Sequence, residues 1–259
     1  MRRYYVGVHH PGWLWTPGPG FPMCISRRRL AGRKTLGRAL VPWILDSGGY
    51  TELGRGEPPV SWSITPEQYS AEVARYAEEI GGMAWAAPMD WMCEPDVRRR
   101  TGLAVTEHQA RTVANYLRLR ELWPRYSDLP CPVIPVLQGW SAGSYLWCWE
   151  RYAQAGVDLA AMPAVGVGSV CGRTSALQIS NVFALLRGLR LHGFGVKTTG
   201  LAMFASDIES ADSMAWSLDA RYNPPLPGHE TRHQHCNNCR EYAASWHDDL
   251  GLERYGLVA

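Results

Sequence analysis

The chain has 259 residues, of which 46% are hydrophobic and 19% charged, with a formal net charge of +2. That composition excludes a disordered chain and suits one sizeable core, or a barrel with a small appendage. The near balance of charge makes its placement more informative than its sum. Arg27, Arg28, Arg29, Arg33, Lys34 and Arg38 crowd one stretch, and Arg98, Arg99 and Arg100 form a second. Such runs are either solvated loops or phosphate contacts rewarded by counterion release. Twelve Trp residues supply core volume, and some of their flat faces suit base stacking.

Short apolar runs recur along the chain, each bounded by Gly, Pro or a polar residue, as buried parallel strands are. They cover Tyr4–Val8, Val41–Leu45, Met83–Met89, Val133–Leu137, Leu159–Val167, Leu191–Val196 and Ser213–Ser217. Helical patterns alternate with them. Thr65 suits an N-cap, Pro66 the first helical position and Gln68 a capping box. Tyr69, Val73, Tyr76 and Ile80 then share one helical face until Gly81-Gly82 ends the run. A second helix starts near Thr106, a third follows Ser141, and a fourth spans about Ser175–Leu189. Alternation of this kind implies parallel pairing, and one strand more would close a (β/α)8 barrel, with an open doubly wound sheet as the alternative. Asn223-Pro224-Pro225-Leu226-Pro227-Gly228 breaks the pattern. The expected division is a barrel over 1–222 and a linker with a zinc-binding tail over 223–259.

Polar residues at the ends of the apolar runs carry the chemistry. Asp46, Ser47 and Gly48 come after the second run, Asp90 after the third, and Gln138 with Gly139 after the fourth. Gly168 and Ser169 end the fifth, Lys197 closes the sixth, and Asp212 sits at the edge of the seventh, which it precedes as drawn; Ile208–Ala211 is the alternative strand end there. Each alone reads equally as a turn residue, a cap or a surface group. In a (β/α)8 barrel, however, strand C-termini share one mouth. Three carboxylates, an amide and glycines gathered there suit chemistry on a flat, polar ligand.

Five of the seven cysteines are scattered, whereas Cys236 and Cys239 form a Cys-x-x-Cys pair beside several histidines. That pattern points to reduced thiols and zinc. His247 lies eight residues past Cys239 on a segment that reads as helical, about 12 Å along the axis and too far to share the ion. The expected set is His229, His233, Cys236 and Cys239, with His235 as first reserve; four protein ligands make a structural site. The N-terminal stretch reads as no signal peptide, and no apolar run approaches the roughly 18 residues of a membrane span. The expectation is a soluble cytoplasmic protein, in host cytoplasm if phage-encoded.

These islands, in this order, resemble the tRNA-guanine transglycosylase superfamily, and more closely its DNA-modifying branch. The matches are Leu45-Asp46-Ser47-Gly48-Gly49-Tyr50, Met89-Asp90, Leu137-Gln138-Gly139, Val167-Gly168-Ser169, Gly193-Phe194-Gly195-Val196 and Ala211-Asp212-Ser213, with the Cys/His tail after them. Ser169 stands where the family carries a second glycine. Ser213-Met214-Ala215-Trp216-Ser217 replaces the Leu-Pro-Thr-Arg run of the tRNA enzymes, and the zinc set is richer in His. Both departures favour the DNA branch.

The resemblance implies exchange of guanine in DNA for a free 7-deazaguanine base, 7-cyano-7-deazaguanine (preQ0) foremost. In that scheme Asp212 is the nucleophile and Asp46 manages protons. Asp90 and Gln138 bind the purine, with Ser47, Gly48, Gly139, Gly168, Ser169 and Lys197 completing the pocket. The rivals are a tRNA-guanine transglycosylase, an enzyme of free nucleosides, and a non-enzymatic zinc-dependent DNA-binding protein. The sequence leaves open the target motif, a homodimer and a helper ATPase.

Overall fold

The structure, a computed structural model, describes residues 1–251 except 56, 57 and 59, so positions 252–259 of the expected tail lie outside the described residues. Eight parallel strands form one sheet. They are β1 (Arg3–Val8), β2 (Met23–Ser26), β3 (Trp43–Asp46), β4 (Met83–Ala86), β5 (Val136–Leu137), β6 (Val165–Val167), β7 (Leu191–Gly193) and β8 (Ser210–Ser213). The order is β4-β3-β2-β1-β8-β7-β6-β5. A parallel bridge between Ala86 and Val133 joins the two outer ends. Ala86 N donates to Pro132 O at 2.9 Å, and Ile134 N to Ala86 O at 3.0 Å. The expected (β/α)8 barrel is therefore present.

Alternation along the strands builds two cores. Tyr4, Val6 and Val8 of β1 face outward and pack with Tyr69, Tyr116, Tyr145 and Trp216 of the surrounding helices. Tyr5 points the other way, into a smaller cluster with Cys24, Ile44, Trp85, Ile134 and Ala164 that fills the barrel. Burial on both faces explains why the strands read as unbroken apolar runs. The helix Pro66–Glu79 starts as expected: Thr65 Oγ1 accepts from Gln68 N, and Gln68 Oε1 accepts from Thr65 N. Tyr69, Val73, Tyr76 and Ile80 are all buried.

Three expectations need correction. Met23–Ser26 is a strand that the apolar pattern missed, and it supplies the eighth member. The last strand lies at Ser210–Ser213, while Ala215–Tyr222 is a helix. Its barrel-facing positions hold Ser210 and Asp212, so its sequence looks polar although all four residues are buried. The expected Leu159–Val167 strand is a 3-10 turn at Leu159–Ala161 and a strand only from Val165.

The tail packs back on the barrel rather than hanging free. Tyr242 Oη donates to Asp219 Oδ2 at 2.6 Å, and Arg240 Nη1 to Thr16 O at 2.7 Å. Ala243 joins the outer core. Among the described residues no helix is long and apolar enough to cross a membrane.

Candidate active site

Asp46 ends β3, and the turn after it is built from its own chemistry. Its Oδ2 accepts from Gly48 N at 3.0 Å, an Asx-type turn that lets Gly48 adopt φ 83°. A side chain at Gly48 would also meet Ser26 and Arg28. Ser47 Oγ accepts from Gly49 N and donates to Asp90 Oδ1 at 2.8 Å. The β3 loop thus reaches the loop after β4.

Asp90 takes its second donor from the loop after β5, where Gln138 Nε2 donates to Oδ2 at 2.5 Å. Gln138 is wholly buried. Its Oε1 lies 2.6 Å from Ser169 Oγ, which also accepts from Cys93 N at 2.7 Å. Ser169 holds φ 56° and is the sole non-glycine with positive φ among the described residues. Such strain persists where surrounding contacts over-determine it. Glu94 Oε2 stands 2.8 Å from the same hydroxyl. Gly168 makes room for this relay, because a Cβ there would come within 2.2 Å of Gln138 Nε2. Gly139 serves packing instead: a Cβ would strike Ser144 and Tyr145 of the next helix. Lys197 is exposed and precedes the 3-10 turn Thr198–Gly200.

Asp212 lies on β8, across the mouth. Its Oδ1 accepts from Gly195 N at 3.0 Å, and its side chain is 11% exposed. His192 of β7, which sequence reasoning missed, lies wholly buried beneath it with Nε2 at 3.2 Å from Oδ1. Nδ1 is 2.9 Å from Ser210 Oγ. A carboxylate only accepts, so the neutral ring that satisfies both contacts donates from Nε2 and accepts at Nδ1 from the Ser210 hydroxyl. Trp85 and Phe194 meet the imidazole edge-on, with centroids at 4.6 and 4.7 Å. The available signal was a histidine inside an otherwise apolar strand, at a position where alternation turns it toward the barrel.

Asp46 feels the other two carboxylates. Burial pushes Asp46 up to about 7, and the charges of Asp90 and Asp212 add to that. Burial also raises Asp90, to about 6, against the lowering effect of hydrogen bonds from Ser47 and Gln138. Near neutral pH the cluster therefore pairs an anionic Asp90 with a half-protonated Asp46. Such a set can accept from a polar ring, hand over a proton and offer a second carboxylate to an electrophilic carbon.

Outside the mouth, His229, His233, Cys236 and Cys239 bring one ligand atom each to within 4.8 Å of one another, so the expected quartet can hold a metal ion. His235 is exposed, and His247 packs near Phe21 beside Asp248. The basic stretch is divided. Arg27 is buried and ion-paired to Glu52 and Glu72, both at 2.8 Å, while Arg38 Nη1 donates to Glu78 O. Arg27 is therefore not part of a surface track. Arg28, Arg29, Arg33, Lys34 and Arg38 remain exposed. In the second cluster Arg99 pairs with Asp96.

No curated protein matches the chain. Among solved structures it is similar to the carboxyl transferase domain of Rhizobium etli pyruvate carboxylase with 3-hydroxypyruvate, at 12% identity and a TM-score of 0.39, covering 85% of this chain and 36% of that one. The same domain with 3-bromopyruvate gives 14% identity and a TM-score of 0.43, covering 98% and 48%. This chain spans about a third to a half of the length of those proteins, and a likeness so remote carries no chemistry. The family model described as DeoxyPurine in DNA protein A, DpdA, matches residues 1–256. The chain belongs to the DeoxyPurine in DNA protein A family.

Proposed function

We propose that the chain exchanges guanine in DNA for a 7-deazaguanine base, preQ0, through a covalent aspartyl–deoxyribose intermediate. The observation that carries this reading is the meeting of Asp46, Asp90 and Asp212 at one barrel mouth, in a chain of this family. A guanine stacked in a duplex is out of reach, so the target nucleotide is extruded or single-stranded. Asp90, fixed by Ser47 and Gln138, keeps lone pairs free to accept from the N1–H and amino group of guanine. Gln138, Gly168 and Ser169 act through Asp90. Gly48 and Gly139 shape the loops, and Lys197 stands at the rim.

Asp212 attacks C1′. The C1′–N9 bond breaks, its electron pair passes to guanine, and Asp46 delivers the balancing proton. The ester waits for the incoming base. Asp46, now ionised, takes that base's N9 proton as N9 attacks C1′ and Asp212 departs. His192 and Gly195 N–H hold the Asp212 carboxylate in its attacking orientation.

The His229, His233, Cys236, Cys239 set fits zinc. Bonds of about 2.0–2.3 Å in a tetrahedron put ligand atoms about 3.3–3.8 Å apart. Here His229 Nδ1 lies 3.6 Å from Cys236 Sγ and 3.5 Å from Cys239 Sγ, His233 Nε2 lies 3.1 Å from Cys236 Sγ, and all four ligand atoms lie within 4.8 Å of one another, so small side-chain adjustments would close the tetrahedron. Four protein ligands leave no open position, so a bound ion would hold the 223–251 segment against the barrel. The test is incubation with DNA or tRNA and labelled preQ0, then nucleoside mass spectrometry. Label in DNA supports the reading; label in tRNA alone refutes the choice of polymer.

A further inference from the structure

A cavity of about 540 Å³ opens at the C-terminal ends of β1 and β2, between the segments after those strands, the helix Ala215–Tyr222 and the metal-binding turn; its Arg28 lies against Gly48, in the turn that follows Asp46. Four guanidinium groups line it, from Arg28, Arg29, Arg33 and Arg221. Arg28 is paired to Glu52. Among the described residues no carboxylate is paired to Arg29, Arg33 or Arg221, whose salt bridges would otherwise cancel the field. An unneutralised cluster of this size repels itself, and an anion relieves that.

The other walls have the same character. Arg29 Nη2 lies 3.1 Å from His9 Nδ1, a contact in which the ring accepts and stays neutral. Burial, with the nearby Arg29, His10 and Arg221 charges, holds His9 below its usual value. Asn237 and Asn238 close the cavity from between the metal-binding cysteines, and Asn237 O is tied to Ser217 Oγ at 2.7 Å. The walls thus combine forked cationic donors with side-chain amides, the groups that cradle phosphate oxygens. The lining residues come from the segments that follow the C-termini of β1 and β2, from the helix after Asp212, and from the metal-binding turn tied to that helix.

We propose that this cavity is a phosphodiester site that grips the DNA backbone next to the extruded nucleotide. The proposal rests on DNA being the polymer, and it gives the metal a second consequence: the ion sets the Asn237–Asn238 wall of the site. Arg28, Arg29 and Arg33 reach it from the first basic stretch, while Arg221 is recruited from the far end of the barrel chain.

The experiment measures binding of a fluorescein-labelled single-stranded oligonucleotide to the full metal-loaded protein by anisotropy, across a salt series. Arg29→Gln and Arg221→Gln change exposed residues and spare the core. Each is expected to weaken binding about tenfold at low salt and to lower the log K against log salt slope by about 0.7, with Arg→Lys restoring the slope. Arg125→Gln, exposed beyond the helix that precedes β5, is the charge control and should leave the slope unchanged. An oligonucleotide series carrying one neutral methylphosphonate each should show one linkage whose neutralisation weakens the wild type but not a variant that combines Arg29→Gln with Arg221→Gln. Wild-type protein that binds DNA, with cavity variants matching its affinity and slope, overturns the site and leaves the DNA reading standing. An equal loss in Arg125→Gln also overturns it. A wild type that binds tRNA but no DNA overturns the DNA reading itself.

Discussion

His192 Nε2 lies 3.2 Å from Asp212 Oδ1, with the imidazole wholly buried and backed by Ser210 Oγ at 2.9 Å. A hydrogen bond to a charged group contributes about 1.5–3 kcal/mol, or roughly 10- to 150-fold in rate if it is needed only to orient the attack. His192→Phe should therefore slow covalent adduct formation by roughly that factor while metal content and DNA affinity stay near wild type. His192→Gln, which can still donate, should recover part of the rate. Rapid-quench adduct kinetics would decide this, and unchanged rates in His192→Phe would remove the residue from the mechanism.

Asp46 titrates at about 7 because it is buried and faces two other carboxylates. In the proposed mechanism guanine expulsion needs its protonated form, so that half-reaction should fall about tenfold per unit as pH rises above about 7. Base addition needs the ionised form and should fall as pH drops below about 7. The apparent value belongs to the coupled cluster rather than to one residue. Asp46→Asn should flatten both limbs. Single-turnover measurements of each half-reaction across pH 5–9 would reveal limbs of the opposite sign if the proton roles are misassigned.

Gly168 predicts a sharp steric effect. A methyl there would stand 2.2 Å from Gln138 Nε2, which donates to Asp90. Gly168→Ala should displace the amide and leave a buried carboxylate one donor short, at a cost of about 1–3 kcal/mol. Base affinity should weaken by about tenfold or more. Calorimetry with preQ0 would show this, and wild-type affinity would mean that Gln138 does not support Asp90.

Cys236 is wholly buried within the quartet. Cys236→Ser should lose the metal, which is expected at about one zinc per chain, and lower the thermal midpoint by about 10 °C. Elemental analysis and thermal melts check both. Stable protein without metal would make the cluster a thiol pair with neighbouring histidines.

Much of the mouth is readable in the sequence because turn chemistry marks strand ends: Asp46 to Gly49 is a good turn and lies at the end of β3. The quartet is readable from ligand type and reach. β8 is easily misplaced because Ser210 and Asp212 make a buried strand look polar, whereas Met214–Trp216 looks like a strand and begins a helix. β2 escapes notice because it has four residues and runs straight into Arg27–Leu30 with no Gly or Pro to mark its end. The fate of Arg27 is illegible since its partners, Glu52 and Glu72, lie 25 and 45 positions away. Charge runs state sign, and only the fold states which member is buried.

The most direct test traps the intermediate. Wild-type protein is incubated with a DNA oligonucleotide without incoming base, then quenched, digested and sequenced by mass spectrometry. The deoxyribose–oligonucleotide mass should sit on the peptide that carries Asp212 and disappear in Asp212→Asn, with zinc and DNA binding retained. An adduct on another residue, or full base exchange in Asp212→Asn, would contradict the mechanism.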